Sequence, residues 1–531
     1  MRNQLFTQVA MKTPKESTFD LTHDVKMSGK MGQLMPCCAF DVLPGDSIQL
    51  GADALIRLAP ILAPIMHRVD FTIHYFFVPN RLLWPNWPEF ISGTPDGNNN
   101  PYIPPYVVLD SNGVTTPTPE FIQISDYLGI PYVANTNAEN VSALPYAAYN
   151  LIYNEYYRDQ NLILPIPDVA TVALPDGDVT AQMMPDTKLR YRAWEHDYFT
   201  SCLPFAQKGA AVDLPLGNVV LDPNWDSTIN QPIFRDDTGS LSSGAVDNSS
   251  SIGGAISVGG GSIVQAYDPE GTLLVGSTTI NDLRRAYRLQ EWLEKNARGG
   301  TRYTEQILVH FGVKSPDARL QRPEYITGVK APVIVTEVLN NTGPTDFFNG
   351  ESGNVEQTGS AQGAMTGHAA GVTQGRLGRY YAQEHGWIIG IISIMPKTAY
   401  QQGIHKMFTR TDYLDYAFPT FANLGEQEVL KREIYAYTSA SNDLFGYIPR
   451  YAEYKFMNSR VAGDFKTTLD YWHLGRIFNS APNLSEEFIE CTPADVERIF
   501  AVQDETDNVW MHILNKIKAR RKLPFFGTPT I

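Results

Sequence analysis

Three stretches near the start of the chain carry the apolar and β-branched texture of strands. Gly32–Val42 (GQLMPCCAFDV) runs into the turn signal Leu43-Pro44-Gly45-Asp46, and Ser47–Leu58 follows it. His67–Val78 (HRVDFTIHYFFV) is aromatic and partly alternating, and Pro79-Asn80 closes it. A second block of strands is predicted at Tyr303–Val313, Tyr325–Val338, Arg379–Met395, Tyr435–Thr438 and Phe445–Met457. Helical spacing predicts Ala143–Arg158, with Tyr146, Tyr149, Tyr153, Tyr156 and Tyr157 recurring along it. A second helix is predicted over DLRRAYRLQEWLEKNAR, capped by Asn281 and stopped by Gly299-Gly300, with Leu283, Ala286, Tyr287, Leu293 and Ala297 on one face. Phe500–Ile517 reads as a late helix, and Thr492-Pro493-Ala494-Asp495 as the start of another.

Seven or eight strands separated by very long insertions, with no repeating βαβ rhythm, point to an antiparallel sandwich or jelly roll. The chain divides into a polar arm at 1–28 that orders against a partner and first strands at 29–79. Insertions occupy 80–302, further strands and loops 303–480, and a helical C-terminal region with a basic tail 481–531. Within the insertions, Ser242–Val264 (SSGAVDNSSSIGGAISVGGGSIV) carries one charge in a glycine- and serine-rich run. At 531 residues the chain exceeds one simple core, so two domains or one fold with large excursions are expected.

The net charge of −15 argues against nucleic-acid binding by the molecule as a whole. The tail inverts this sign. After Trp510 the chain carries Lys516, Lys518, Arg520, Arg521 and Lys522 with no acidic residue, followed by Phe525 and Phe526. Such a segment suits phosphates and stacked bases, or alternatively a solvated helix end. Four cysteines make no disulfide framework and read as free thiols. The most apolar run, Trp387–Met395, is too short for a membrane helix, and no signal peptide is visible.

Catalytic motifs are missing. Gly259-Gly260-Gly261-Ser262 lacks the lysine of a phosphate cradle, and there is no HExxH, CxxC or GxSxG. Glu195-His196 and Glu384-His385 are weak metal candidates, because adjacent residues on a regular element point apart. Asp110 and Glu120 are a carboxylate pair only by arbitrary choice among 57 acidic residues. Neither a cofactor nor a catalytic function is expected.

Several segments are distinctive: NRLLWPNW (80–87), YNLIYNEYYRDQNL (149–162), WEHDYFTSCLPFAQKG (194–209), ARGGTRYT (297–304), SPDARLQRPEY (315–325), GEQEVLKREIY (425–435), FGYIPRYAEYK (445–455) and DYWH (470–473). Together they resemble the major capsid protein of microviruses, small icosahedral single-stranded DNA bacteriophages, especially the gokushovirus-like branch. Tyrosine stands at 153, 156 and 157 where that branch often has tryptophan or phenylalanine.

The resemblance implies an eight-stranded antiparallel viral jelly roll with long loop and helix insertions. It implies sixty copies in a T=1 shell around circular single-stranded DNA, made and assembled in the cytoplasm of a bacterial host. It also implies a small basic DNA-binding protein as a partner, and an excursion at 216–280 that projects at the threefold axes. Ser242, Asn248, Ile252, Gly259 and Val264 lie in that excursion, where contact with a bacterial surface receptor is a further role. The alternatives are a glycan-binding or glycan-hydrolysing sandwich and a soluble oligomeric scaffold unrelated to viruses.

Overall fold

A computed structural model describes residues 16–93, 101–109, 118–131, 139–213, 279–339, 365–375, 377–437, 442–501 and 507–526, with short strands between 219 and 275 and between 345 and 358. Ten strands form one antiparallel sheet system, labelled in chain order. They are β1 (Ser17–Asp20), β2 (His23–Gly29), β3 (Met35–Val42), β4 (Ser47–Leu58), β5 (Val69–Pro79), β6 (Glu324–Leu339), β7 (Met365–Gln374), β8 (Gly378–Tyr381), β9 (Gly386–Pro396) and β10 (Val509–Arg521). The path runs β1-β10-β4-β7-β6-β5-β9-β3, with β2 also on β10 and β8 also on β4.

One long strand joins the two halves of this path. In β6, Glu324–Val333 pairs with β5, whereas Ile334–Leu339 pairs with β7. The inward rows of the two halves enclose one core. Ile48, Leu50, Ile56, Ile513 and Ile517 come from one half, and Phe71, Ile73, Ile392 and Ile394 from the other. Across this core the Tyr75 hydroxyl donates to Asn515 Oδ1 at 2.6 Å, and Asn515 Nδ2 donates to the Cys37 carbonyl at 3.0 Å. The result is a mainly β jelly roll with helix and loop insertions.

Local chemistry explains the strands. In β4 the side chains of Ile48, Leu50, Ala52, Ala54, Ile56 and Leu58 alternate inward. The turn before it needs Gly45 at φ +92, and Asp46 Oδ2 accepts from the Leu43 N–H at 3.1 Å. β5 and β9 are buried on both faces, which suits their nearly unbroken apolar text. The outer side of β5 and β9 is covered by helix α1 (Leu144–Ile152), wholly buried, and by the π-helical turn Tyr153–Tyr157 that continues it. Tyr146, Tyr149 and Tyr153 are buried and hydrogen-bonded to Ser125, the Leu34 carbonyl and Glu490. Their rings pack the helix onto the core.

Several sequence expectations are corrected. Phe500–Ile517 is not a helix. Its second half lies in β10, where Val509, Met511, Ile513, Asn515, Ile517 and Ala519 point inward with period two. Pairing with β4 on one side and β1 and β2 on the other outweighs the helix preference of Met, Leu and Lys. The described part of 481–531 holds the short helices Glu486–Ile489 and Pro493–Val496, the second opening after Thr492 as the sequence predicts, a 3-10 turn at Glu497–Ile499 and one long strand. Conversely, Tyr303–Val313 is helix α3 (Tyr303–Phe311). Glu305 accepts from the Arg302 N–H at 3.1 Å at its start, and Gly312 at φ +68 ends it.

Tyr435 follows a single 3-10 turn, Lys431–Glu433, and makes no strand. The stretch at 445–457 is strand only to Pro449, after which Tyr451 takes φ +61 and Ala452–Lys455 is helical. Arg379–Met395 is two strands, β8 and β9. In the described part of the arm, β1 and β2 pair with β10 of the same chain. All four cysteines are free and buried.

Residues Gln207–Arg298 form a separate unit. Two short ladders nest within it: Val219–Leu221 with Leu273–Val275, and Ile233–Arg235 with Gln265–Tyr267. Its helix α2 (Ile280–Gly299) is capped by Thr279, not Asn281. Thr279 Oγ1 accepts from the Asp282 N–H at 3.2 Å, and Asp282 Oδ2 accepts from the Thr279 hydroxyl at 2.7 Å.

Candidate nucleic-acid interface

The basic tail is a strand, and strand geometry divides its cations. Lys516, Lys518 and Arg520 fall on the side of β10 away from the core, and Arg521 falls on the other. Register then brings carboxylates to them. Lys516 pairs with Asp53 of β4. Lys518 sits opposite Asp20 of β1 and helps to hold that carboxyl below its ordinary range, after the larger effect of hydrogen bonds from Thr22. Arg520 meets Glu16 at 2.6 Å, and His512 meets Asp24 at 3.5 Å. Arg521 reaches the buried Asp46 at 3.0 Å and the Asp41 carbonyl at 2.9 Å.

The same register adds three cations that linear reading missed, because they lie far away along the chain. Lys26 stands opposite His512, Arg57 opposite Trp510 and Arg379 of β8 opposite Gln49, all three exposed. The outward face thus carries six cations (Lys26, Arg57, Arg379, Lys516, Lys518, Arg520) and four carboxylates (Glu16, Asp20, Asp24, Asp53). The charge inversion of the tail is largely offset in three dimensions. Lys522 lies over Gly45 of the β3–β4 turn. Phe525 stacks on Phe19 at 5.9 Å between centroids, and Phe526 meets Phe525 edge-on at 4.9 Å, with both exposed.

The weak metal candidates are ion-pair groups. Burial opposes ionisation of Glu195, but hydrogen bonds from Lys330 and Lys397 dominate and bring its carboxyl down to about 2. Asp70 joins the same lysines at 3.3 and 3.6 Å. Glu384 takes a bidentate pair from Arg81 at 2.9 and 3.0 Å, and His385 packs on Trp87. Among the described residues no group of three or more His, Cys, Asp and Glu is arranged to hold a metal. Glu120 lies in the first turn of the helix Pro119–Tyr127, and Asp110 lies outside the described residues. A cleft of about 800 Å³ is lined by Tyr156, Arg192, Glu195, Asp317, Arg322 and Tyr325. Several of its charges are paired. Arg322 lies 4.3 Å over the Tyr156 ring and pairs with Asp317 at 3.4 Å.

Comparison with known proteins decides what kind of molecule this is. The family described as capsid protein (F protein) matches residues 7–531. The chain belongs to the phage F capsid-protein family. It is 36% identical over 529 residues to capsid protein VP1 of Bdellovibrio phage phiMH2K, covering 94% of this chain and 93% of that protein. It is 36% identical over 606 residues to capsid protein VP1 of Chlamydia phage 1, covering 100% and 98%. It is 29% identical over 558 residues to capsid protein VP1 of Spiroplasma virus 4, covering 97% and 95%.

These relatives are structural proteins, and the F-family chain is a microvirus-type major capsid protein and not an enzyme. Among its described residues, no helix is long and apolar enough to cross a membrane. The excursion residues Ser242, Asn248, Ile252, Gly259 and Val264 lie outside the described residues of this capsid protein.

Proposed function

We propose that this capsid protein builds a T=1 icosahedral shell of sixty identical copies around circular single-stranded DNA, assembled in the cytoplasm of its bacterial host. The observation that carries this reading is the family match along nearly the whole chain, together with a sheet system that leaves long ordered loops for contacts between copies. Excursion 216–280 is proposed to project at the threefold axes and to meet the host surface. Its chain connectivity supports this, since residues 236–264 close the inner of two nested ladders. The net charge of −15 leaves genome neutralisation to counterions and to a small basic DNA-binding partner.

The β10 face is proposed as the shell's own DNA contact, with Lys26 and Arg57 added to Lys516, Lys518 and Arg520, and with Arg521, Lys522, Phe525 and Phe526 at its end. Phosphates would exchange with the carboxylates that now pair these cations.

Particle mass tests the shell. Sixty subunits of 59.2 kDa give ~3.6 MDa, and a stable monomer that turns over a glycan rejects the reading. Replacing Lys516, Lys518 and Arg520 by Gln tests the DNA face. Each lost phosphate contact lowers the slope of log affinity for single strands against log salt by ~0.7, so a fall of about 2 is expected. An unchanged slope refutes that face.

A further inference from the structure

Residues 462–472 form a strap with both ends fastened to the same short stretch of chain. The Val461 N–H donates to the Tyr400 carbonyl at 3.1 Å, and the Arg476 N–H donates to the Ala399 carbonyl at 2.8 Å. The strap borders a cavity of about 660 Å³, in whose wall Phe465 stands with His67, Lys397, Arg460 and His473. Its first turn, Gly463–Lys466, is exposed apart from Phe465. Among the described residues, one hydrogen bond joins that turn to residues outside 462–469. The His473 ring donates it, from Nε2 to the Phe465 carbonyl at 2.8 Å.

The partners of that ring fix its protonation. Nδ1 of His473 accepts from the Gly475 N–H at 2.9 Å, so Nε2 carries the proton and the ring is neutral. A second proton has to go on Nδ1, where the Gly475 N–H already points. Two hydrogens cannot share that line. The charged ring must turn, and turning takes Nε2 off the Phe465 carbonyl.

The surroundings oppose that charge. His473 is buried, and Arg498 Nη2 lies 3.4 Å from its Nδ1. Arg498 donates to the carbonyls of Asp470, His473, Gly475 and Asp495 and, among the described residues, pairs with no carboxylate. His67 donates from Nε2 to the Lys397 carbonyl at 2.6 Å and faces the same cavity, with Arg68 and Arg460 nearby. Glu195, His196 and Asp197 face it as well. Glu195 is held by Lys330 and Lys397, and Asp197 by the N–H groups of Phe199 and Thr200 and the Tyr400 hydroxyl. Burial is the largest effect holding both rings below the ordinary histidine value. Arg498 adds to it at each ring, while the accepting carbonyls and, at His473, Asp470 act the other way.

We propose that residues 462–472 are an acid-released strap, closed on the cavity while His67 and His473 are neutral and open once both rings carry a second proton. Opening admits water to the two rings, and each then takes the proton that the closed form refuses. The closed form therefore binds fewer protons than the open one. Closure is at full strength above pH 6.5, the ordinary histidine value, and weakens as pH falls below it. The device is a property of the single chain and does not depend on the shell reading.

Amide hydrogen exchange of the full-length protein tests this, with protection over 462–475 corrected for the intrinsic exchange rate at each pH. The Gly475 amide reports directly, since its acceptor is His473 Nδ1. Wild-type protection there is expected to fall roughly tenfold or more from pH 7 to pH 5, while α1 keeps its protection. The slope of log protection against pH counts the protons taken up on opening, up to about two. His473→Gln and His67→Gln each retain an amide donor and remove one titrating ring, so each is expected to lower that slope by about one. A slope that falls in both variants supports the strap. A flat wild-type profile overturns it, as does a loss of protection shared with α1, or a slope that either variant leaves unchanged. Where one variant does not fold, the wild-type profile and the other variant decide.

Discussion

Asn515 is fully buried between the two halves of the sheet system and satisfies its amide through Tyr75 and Cys37. Replacing Tyr75 by Phe leaves the Asn515 carbonyl oxygen without its donor. The expected loss is about 1–3 kcal/mol, read from the shift of the urea midpoint of the free subunit. Glu490 makes a pH-dependent contribution. Burial pushes its carboxyl up to about 7, with Glu486 adding to the effect while the Tyr153 hydroxyl and Arg190 oppose it. A carboxyl raised on folding binds more protons in the native state, so stability falls as pH rises from the ordinary 4.5 to about 7 and the loss is complete above that. Glu490→Gln is therefore expected to flatten the melting temperature across that window and to raise it at pH 8. A variant that tracks wild type at every pH would falsify this assignment. Residue-scale chemistry was only half legible in advance. The tail's cations are visible as letters, whereas Glu16, Asp20 and Asp53 become their partners only through register.

Among the elements, β10 separates local from tertiary control. Its text, MHILNKIKARR, suits a helix by propensity, and it pairs as a strand because β4 and β2 offer open edges on either side. Strand geometry makes a prediction that helix geometry does not. Ile513→Ala is expected to cost ~2–5 kcal/mol by cavity formation, while Lys518→Ala stays within ~0.5 kcal/mol, as measured by urea unfolding of the free subunit. Equal effects at both positions would contradict the period-two burial of β10. The strands β4 and β5 were legible because a turn signal or a proline brackets an apolar run with little competing helix pattern. Tyr303–Val313 misled for the opposite reason. Its Thr, Ile and Val suggest a strand, but a cap at Glu305 and a stop at Gly312 define α3, and its apolar residues Leu308 and Phe311 remain exposed.

For the molecule as a whole, the jelly roll was legible through distinctive segments spread along the chain, whereas the split of β6 between two partners left no local trace. The excursion belongs to this scale too. Deleting Ser242–Gly261 is expected to leave particles that sediment as intact shells while host adsorption falls, checked by velocity sedimentation and a binding assay on host cells. Failure to assemble would instead make the stretch a structural contact. The pairing of β10 with β4 has a last consequence, for how the molecule is made. Leu58 and Val509 are partners although 451 positions (509 − 58) separate them. At ~5–20 residues per second, a ribosome takes roughly 20–90 s to cover that gap. Throughout that interval a nascent chain holds β4 with the edge that β10 will cover unpaired, which invites misassociation between neighbouring polysomes. Prematurely terminated products keep that open edge permanently and lack the inner wall needed to close the core, so completion of the fold itself screens out unfinished subunits before they reach a shell.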